Sequence, residues 1–499
     1  MSAFSPIPLG QPIPASPHAV SCSLPTMRDV RGYEEKDPEV TRHLSSAYPR
    51  FVVHPFARQL AARIAKEKTL TGKTLWLASS ARMADRLAQH LGAANATRMT
   101  DGTVHGVAHA ESPEIFARAK TFLQNIGGFL SSRQAEDELI RRGLIAPSRD
   151  EEAFSGDAVA EIRRHLRRAM PAAGDADVFL APSGMNAIYA TFRAVTELQA
   201  ARGRTVWVQL GWLYLDTIAI LKKFTAAPAD YVYVRDVFDR AALEELFATH
   251  GARLAGVVAE VPTNPLIQTP DVAALGALCR SHGAKLILDP SVASAFNVDL
   301  LAFADVVTVS LTKYTASEGD VIAGAAIVNP AGPDATGLRT RIAAEVEPVY
   351  PRDLARLAAQ IGRTEPVLAQ IHASVPRVAA FLAKHPAVRE VFWALAPASR
   401  ANYLKLARAP DATGGMISFS LKIPLEKFYD RLRLPKGPSF GMKTTLICPF
   451  MYLAHYDLVT SEAGRAELAA SGIDPDLLRL CVGTEPAEDI IAALAEALG

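Results

Sequence analysis

Seven short apolar runs between Val178 and Pro330 constrain this chain more than any other feature. "VFLAP", "TVWVQL", "YVYVRD", "LAGVVAEVP", "KLILDP", "VVTVSLT" and "AAIVNP" are continuously apolar rather than alternating. Alternation marks a strand with one wet face; an unbroken apolar run suits a strand covered on both faces. Between the runs lie helical patterns, "GMNAIYATFRAVTELQARG", "AALEELFATHG" and "VAALGALCRSHG", some closed by glycine. This succession predicts a mostly parallel α/β sheet over residues 178–332. In such sheets ligands gather at the carboxyl ends of the strands.

Four chemically apt residues sit at such ends: Ser183, Asn264, Asp289 and Lys313. Each could also be a plain turn, cap or solvated residue. "APSGMNAIYATF" puts Ser183, Gly184 and Met185 at a strand-to-helix turn, where free backbone N–H groups suit an anion. The stretch is not G-x-G-x-x-G, which argues against a dinucleotide site. Asp289 ends a buried strand, where a carboxylate could hold a cationic ring nitrogen. Asn264 lies among prolines that fix its backbone. Lys313 can both form an imine and move a proton. Ser310 and Thr312 alternate before it, so on a strand both would face one side and suit a phosphate.

The flanking segments are less informative. Residues 1–60 are proline-rich and predict an extended arm. Residues 61–177 mix helical patterns with one strand-like run, "KTLWLAS", and carry no functional signal. Residues 333–499 predict a smaller α/β domain with a largely antiparallel sheet, built from "MISFSLKI", "KTTLICPF" and "LLRLCVG". Lys and Arg total 53 against 52 Asp and Glu, so no nucleic-acid or acidic-membrane partner is expected. No apolar run reaches the length of a membrane span. The four cysteines form no C-x-x-C pair, and the histidines show no metal-ligand spacing. With no secretory or transit pattern at the N-terminus, a cytoplasmic location is expected.

Several motifs occur together and in order: "SGM" opening a helix, "E-x-P-x-N-P" through Glu260, Pro262, Asn264 and Pro265, a strand-end Asp289, and "SLTKY" 24 positions on. With "YPRFVVHP" near the start and "LLRLCVGTEPAEDII" near the end, the chain resembles the pyridoxal-phosphate enzymes of cysteine and methionine metabolism, the cystathionine γ-synthase group. "PIPASPHAVSCSLPT", "GYEE", "KGPSFG" and "LAHYDL" make it most similar to the fungal-type members.

The resemblance implies the aspartate-aminotransferase-like fold type I with pyridoxal 5'-phosphate as cofactor. Lys313 would attach the cofactor and move protons, and Asp289 would pair with its ring nitrogen. Ser183, Gly184, Met185, Ser310 and Thr312 would hold the phosphate, with Ser291 nearby and with Tyr48 and Arg50 from a neighbouring subunit. That sharing implies a homodimer or homotetramer. Asn264, Ser439 and Arg479 would contact the amino-acid substrate or the cofactor. The implied reaction is γ-replacement on an O-acylhomoserine by cysteine, giving cystathionine. Sulfide as nucleophile, γ-lyase activity, or a catalytically inactive cofactor-binding relative are the alternatives.

The sequence also departs from the family pattern. Where an aromatic residue stacks on the cofactor ring, "LGWLYLDT" offers Leu210, Trp212 or Tyr214. Ser291 replaces a threonine, Glu318 or Gly319 replaces a histidine, and Phe440 and Met442 are expected to alter the distal wall of the substrate site.

Overall fold

The computed structural model describes residues 4–45, 53–147 and 151–499. Residues 4–45 are packed on the chain's own C-terminal domain, rather than extended. Pro12–Ile13 pairs antiparallel with Ser21–Cys22. The helix Met27–Glu35 starts at a capping box, Thr26 and Asp29. Its Met27, Val30 and Tyr33 join the main hydrophobic core. Met27 N donates to Asp430 Oδ1 at 2.8 Å, and Tyr429 Oη donates to the Leu24 carbonyl at 3.0 Å. Tyr48 and Arg50 lie outside the described residues.

A small block follows the arm. Strands β1 (Lys73–Ala78), β2 (Thr97–Asp101) and β3 (Val104–Ala110) form an antiparallel sheet in the order β1-β3-β2. The helices Pro55–Glu67, Ala81–Leu91, α1 (Pro113–Asn125) and Ser132–Arg141 pack with it. Only β1 is legible as a strand in the sequence. β2, "TRMTD", is an edge strand with no buried residue and therefore carries no hydrophobic pattern. The helix Ala158–Ala169 belongs elsewhere: its Ile162 and Leu166 are buried in the main core.

The main sheet contains the seven expected strands: β4 (Val178–Ala181), β5 (Val206–Leu210), β6 (Tyr231–Val234), β7 (Leu254–Glu260), β8 (Lys285–Asp289), β9 (Val306–Ser310) and β10 (Gly324–Val328). Their order is β4-β10-β9-β8-β7-β5-β6. β10 is antiparallel to both neighbours, and the other pairings are parallel. The carboxyl ends of the six co-directional strands therefore share one edge. Helices α2 (Gly184–Ala200) and α3 (Leu215–Phe224) start at that edge. The C-terminal domain carries an antiparallel sheet, β11 (Val388–Trp393), β12 (Met416–Leu421), β13 (Leu446–Pro449) and β14 (Leu478–Cys481), in the order β11-β12-β14-β13. No described helix is long and apolar enough to cross a membrane.

A network of charges ties the block to the rest. Arg133 is 1 % exposed and donates to the Asp320 carbonyl at 2.9 Å, to Asp353 at 3.0 Å and to Glu151 at 2.8 Å. Arg352 reaches Glu136 and Glu151, and His18 of the arm meets Glu136 at 3.1 Å. Burial pushes the Glu136 and Glu151 carboxyls up, but these cations outweigh it and hold each at about 2. The ordinary glutamate value is about 4.3. The ion pairs therefore stabilise the seam fully above that value and lose their effect as pH falls towards 2. On acidification the block is expected to loosen from the main sheet. Hydrogen exchange by mass spectrometry should show protection in residues 53–147 falling between pH about 4 and about 2, before that of β7 and β8. Uniform loss across both regions would count against the seam as the weak point.

Candidate active site

The strand ends converge on one cavity. After β4, Ser183 caps α2, its Oγ accepting from Asn186 N at 3.1 Å. The first N–H groups of this 17-residue helix have no intrahelical acceptor. The Ser310 hydroxyl, at the end of β9, is buried and has no hydrogen-bond partner among the described residues. A Cβ on Gly184 would lie 2.9 Å from the Ser310 Cβ, so glycine lets the turn and the serine approach. An orphaned hydroxyl beside an open helix N-terminus fits a phosphate. Ser291 stands behind it, its Oγ accepting from Ser310 N at 2.8 Å.

Thr312 is not on that face. β9 ends at Ser310, so the strand alternation expected to align the two hydroxyls stops before Thr312. Its side chain instead bonds the backbone of Ala323, as acceptor from N at 3.1 Å and donor to O at 3.3 Å.

Two carboxylates sit side by side. Asp289 and Glu260 are register partners on β8 and β7, and both line the cavity. Burial pushes both carboxyls up, and the negative charge of Asp289 adds to the rise at Glu260. Ser291 N donates to Asp289 Oδ1 at 2.7 Å. A cation beside Asp289 would relieve the cost of its buried charge, which fits a protonated ring nitrogen. Glu260 Oε1 accepts from Tyr214 N. The motif containing Glu260 is visible in the sequence, but its contact with the start of α3 depends on strand order.

Lys313 follows β9 and is 8 % exposed. Its Nζ donates to Ser439 Oγ at 2.6 Å and lies 4.8 Å from the Phe440 ring centre. Ser439 holds a φ of 84°, a strained left-handed conformation for a residue with a side chain. Arg479, on β14, is 6 % exposed. It donates to Asn264 Oδ1 at 3.3 Å and to the Ser439 carbonyl at 3.2 Å. Its guanidinium lies 4.4 Å from the Phe450 ring centre and 5.2 Å from that of Phe440. No carboxylate among the described residues forms an ion pair with it, so the fork is set for a ligand carboxylate.

Of the three residues considered for stacking, Tyr214 lines the cavity. Leu210 is fully buried in the core. Trp212 donates from Nε1 to His455 Nε2 at 3.1 Å and packs edge-on to Tyr233. Phe440 forms part of the cavity wall, but Met442 does not share it. Met442 packs with Ile13, Val20 and Leu446. Cys448, Phe450 and Leu453 also line the cavity and carry no signal in the sequence beyond an apolar strand and turn.

Residues 162–499 match the family model described as Cys/Met metabolism PLP-dependent enzyme. The chain belongs to this family. It is therefore an enzyme of a pyridoxal-phosphate-dependent class, in keeping with the anion turn, the buried Asp289 and the enclosed Lys313. Among its relatives is the L-2-amino-4-chloropent-4-enoate dechlorinase/desaturase of Streptantibioticus cattleyicolor, 41% identical over 497 residues, covering 100% of this chain and 99% of the relative. The cystathionine gamma-synthase of Neurospora crassa is 26% identical, covering 99% and 98%. The crystal structure of cystathionine gamma synthase from Xanthomonas oryzae pv. oryzae in complex with cystathionine aligns with a TM-score of 0.57 at 23% identity. That alignment covers 71% of this chain and 89% of the other. It supports the fold type.

Proposed function

We propose that this enzyme removes a leaving group from the γ-carbon of a small α-amino acid and completes turnover by elimination, giving a more unsaturated amino acid. The observation that carries this reading is the cavity wall. One buried guanidinium, Arg479, shares the cavity with Lys313, and Pro438, Phe440, Phe450 and Leu453 line it with them. Such a wall suits one amino-acid carboxylate and a short apolar side chain. A cysteine co-substrate would bring a second zwitterion, and Arg479 is the one guanidinium among the described lining residues. The full-length relation to a dechlorinase/desaturase points to a 4-chloroalkenyl amino acid. Net loss of HCl from such a substrate breaks one C–H and one C–Cl bond and forms one carbon–carbon π bond. Chloride leaves with the bonding pair.

Pyridoxal phosphate, when bound, supplies an electron sink next to the α-carbon. The residues around it then have separate tasks. The Lys313 amine would hold the cofactor and would take the proton from the substrate Cα and return protons further along the side chain. Asp289 keeps the ring nitrogen charged. Ser310 and the N–H groups of Gly184 and Met185 would hold the phosphate, and Tyr214, which lines the same cavity, would pack on the ring. Arg479, steadied by Asn264 and by the Ser439 carbonyl, binds the substrate carboxylate. Loss of the unpartnered hydroxyl in Ser310→Ala is expected to weaken cofactor binding about tenfold, read as the Kd for pyridoxal phosphate. An unchanged Kd would remove Ser310 from the phosphate site.

The deciding experiment offers 2-amino-4-chloropent-4-enoate and the acetyl, succinyl and phosphoryl esters of homoserine, each with and without cysteine or sulfide. Chloride release and mass spectrometry follow the products. Rapid, thiol-independent loss of HCl is expected. Cystathionine as the dominant product would instead establish the second reading, γ-replacement. That reading is favoured by "PIPASPHAVSCSLPT" and "KGPSFG" and by the 26% identical synthase.

The same proposal makes the site a shared one, with Tyr48 and Arg50 reaching a neighbour's phosphate in a homodimer or homotetramer. Mixing inactive Arg50→Ala and Lys313→Ala chains should restore part of the activity after subunit exchange, because one site in the hybrid is then intact. No recovery in a mixture shown to have exchanged would argue for sites built within single chains.

A further inference from the structure

The block of residues 53–147 meets the cofactor cavity at the carboxyl end of α1. Asn125, the last residue of that helix, is 2 % exposed. Its Nδ2 donates to Asp216 Oδ1 at 2.8 Å, and its Oδ1 accepts from Lys223 Nζ at 2.7 Å. Gln124 Nε2 donates to the same Asp216 oxygen at 2.9 Å. Asp216 is 1 % exposed and lies in the first turn of α3, two residues after Tyr214. Tyr214 precedes that helix without a side-chain cap, and its N–H is taken by Glu260 from β7. The start of α3 is thus gripped from the sheet through Glu260 and from the block through Asp216.

The neighbouring residues of the block touch the anion turn. The Ile126 carbonyl accepts from Asn186 Nδ2 at 3.3 Å. Gly127, at φ +65°, sits so close that a Cβ there would lie 2.0 Å from Ser183 Oγ. Two walls of the cavity therefore rest on one four-residue stretch, 124–127, that is otherwise silent in the sequence.

We propose that Asn125 is a positioning residue that sets Tyr214 against the cofactor ring, so that the block is a working part of the cofactor site. The proposal rests on the placement of Tyr214 given above. The two contacts suit an amide. Asn125 offers a donor to a buried carboxylate and an acceptor to an ammonium at once, and no apolar or singly charged side chain offers both. Asp at this position would keep the contact with Lys223 but set two carboxylates against each other. The start of α3 would have to move, carrying Tyr214 with it.

The test compares Asn125→Asp, the exchanged pair Asn125→Asp with Asp216→Asn, and the wild type. In the exchanged pair the new amide at 216 donates to the new carboxylate at 125, which still accepts from Lys223. The readouts are the Kd for pyridoxal phosphate and the visible circular dichroism of the bound cofactor, which reports its surroundings. Neither needs a substrate, so the test is separate from the choice between elimination and replacement. N125D is expected to raise the Kd about tenfold and change the dichroism, and the exchanged pair to return both close to wild type. Folded N125D with wild-type Kd and dichroism would overturn the proposal, as would an exchanged pair no better than N125D. Should N125D fail to fold, Gln124→Leu, which removes the second donor to Asp216, carries the same readouts. A changed dichroism with a weaker Kd supports the proposal, and wild-type values of both overturn it.

Discussion

Lys313→Ala is expected to lose covalently held cofactor and at least about 10⁴-fold in kcat, the upper range for a positioned proton-transfer group. The amine is enclosed, at 8 % exposure, between Ser439 and Phe440. Water therefore has little access to the place it occupies. Alanine leaves no group there that can bond the cofactor or carry a proton between substrate carbons. Borohydride adds hydride to the C=N bond between lysine and cofactor and leaves a stable C–N bond, so near-ultraviolet pyridoxyl absorbance should stay with the reduced wild-type chain through denaturing gel filtration and be absent from the variant treated in the same way. Added small primary amines should restore part of the proton transfer, because the missing group is an amine at a cavity large enough to admit one. A variant keeping more than about 1 % of wild-type kcat would show that another residue moves the proton.

Arg479→Leu should cost about 2–5 kcal/mol of transition-state binding, roughly 30- to 4,000-fold in kcat/KM. The guanidinium lies between two aromatic rings, its hydrogen bonds go to Asn264 and to the Ser439 carbonyl, and no described carboxylate neutralises it. A substrate carboxylate bound there exchanges water for a desolvated two-pronged partner. Lysine at 479 keeps the charge but loses the fork and should recover only part of the loss. Cofactor Kd should stay within about twofold of wild type, because the contacts assigned to the cofactor come from other strands. A large fall in cofactor affinity with unchanged KM would reassign Arg479 from substrate to cofactor.

The five inner strands of the main sheet are legible because they are buried along nearly their whole length and must be apolar throughout, and the two edge strands, β4 and β6, are half-buried but still apolar. The helix opening at Gly184 is legible because Ser183 is a side-chain cap with a local signature. Asp289 and Lys313 are legible as strand-end residues because the apolar runs stop beside them. β2 is not legible, because an exposed edge strand needs no hydrophobic pattern. Thr312 misleads because period-two alternation holds only within a strand, and β9 ends two residues earlier.

The choice among Leu210, Trp212 and Tyr214 has another cause. They lie within five residues, in a strand end and turn where side-chain direction has no fixed period. Trp212 is drawn away by His455, 243 positions distant. Glu260 meets Asp289 because β7 and β8 are neighbours in register. Arg479 meets Asn264 across 215 positions because the C-terminal sheet closes over the strand ends.

By itself, then, the sequence determined the doubly covered sheet, the residues standing at its ligand-binding edge, and the cofactor class they resemble. Each of these depends on contacts or patterns short enough to be written locally. The tertiary structure decided which side chains share the cavity, which aromatic residue faces it, where the N-terminal arm lies, and that the block of residues 53–147 braces two of its walls. These features are set by strand order and by hydrogen bonds between residues far apart in the chain. A buried polar group needs a partner wherever one can be found, and nothing in its local sequence says where that will be.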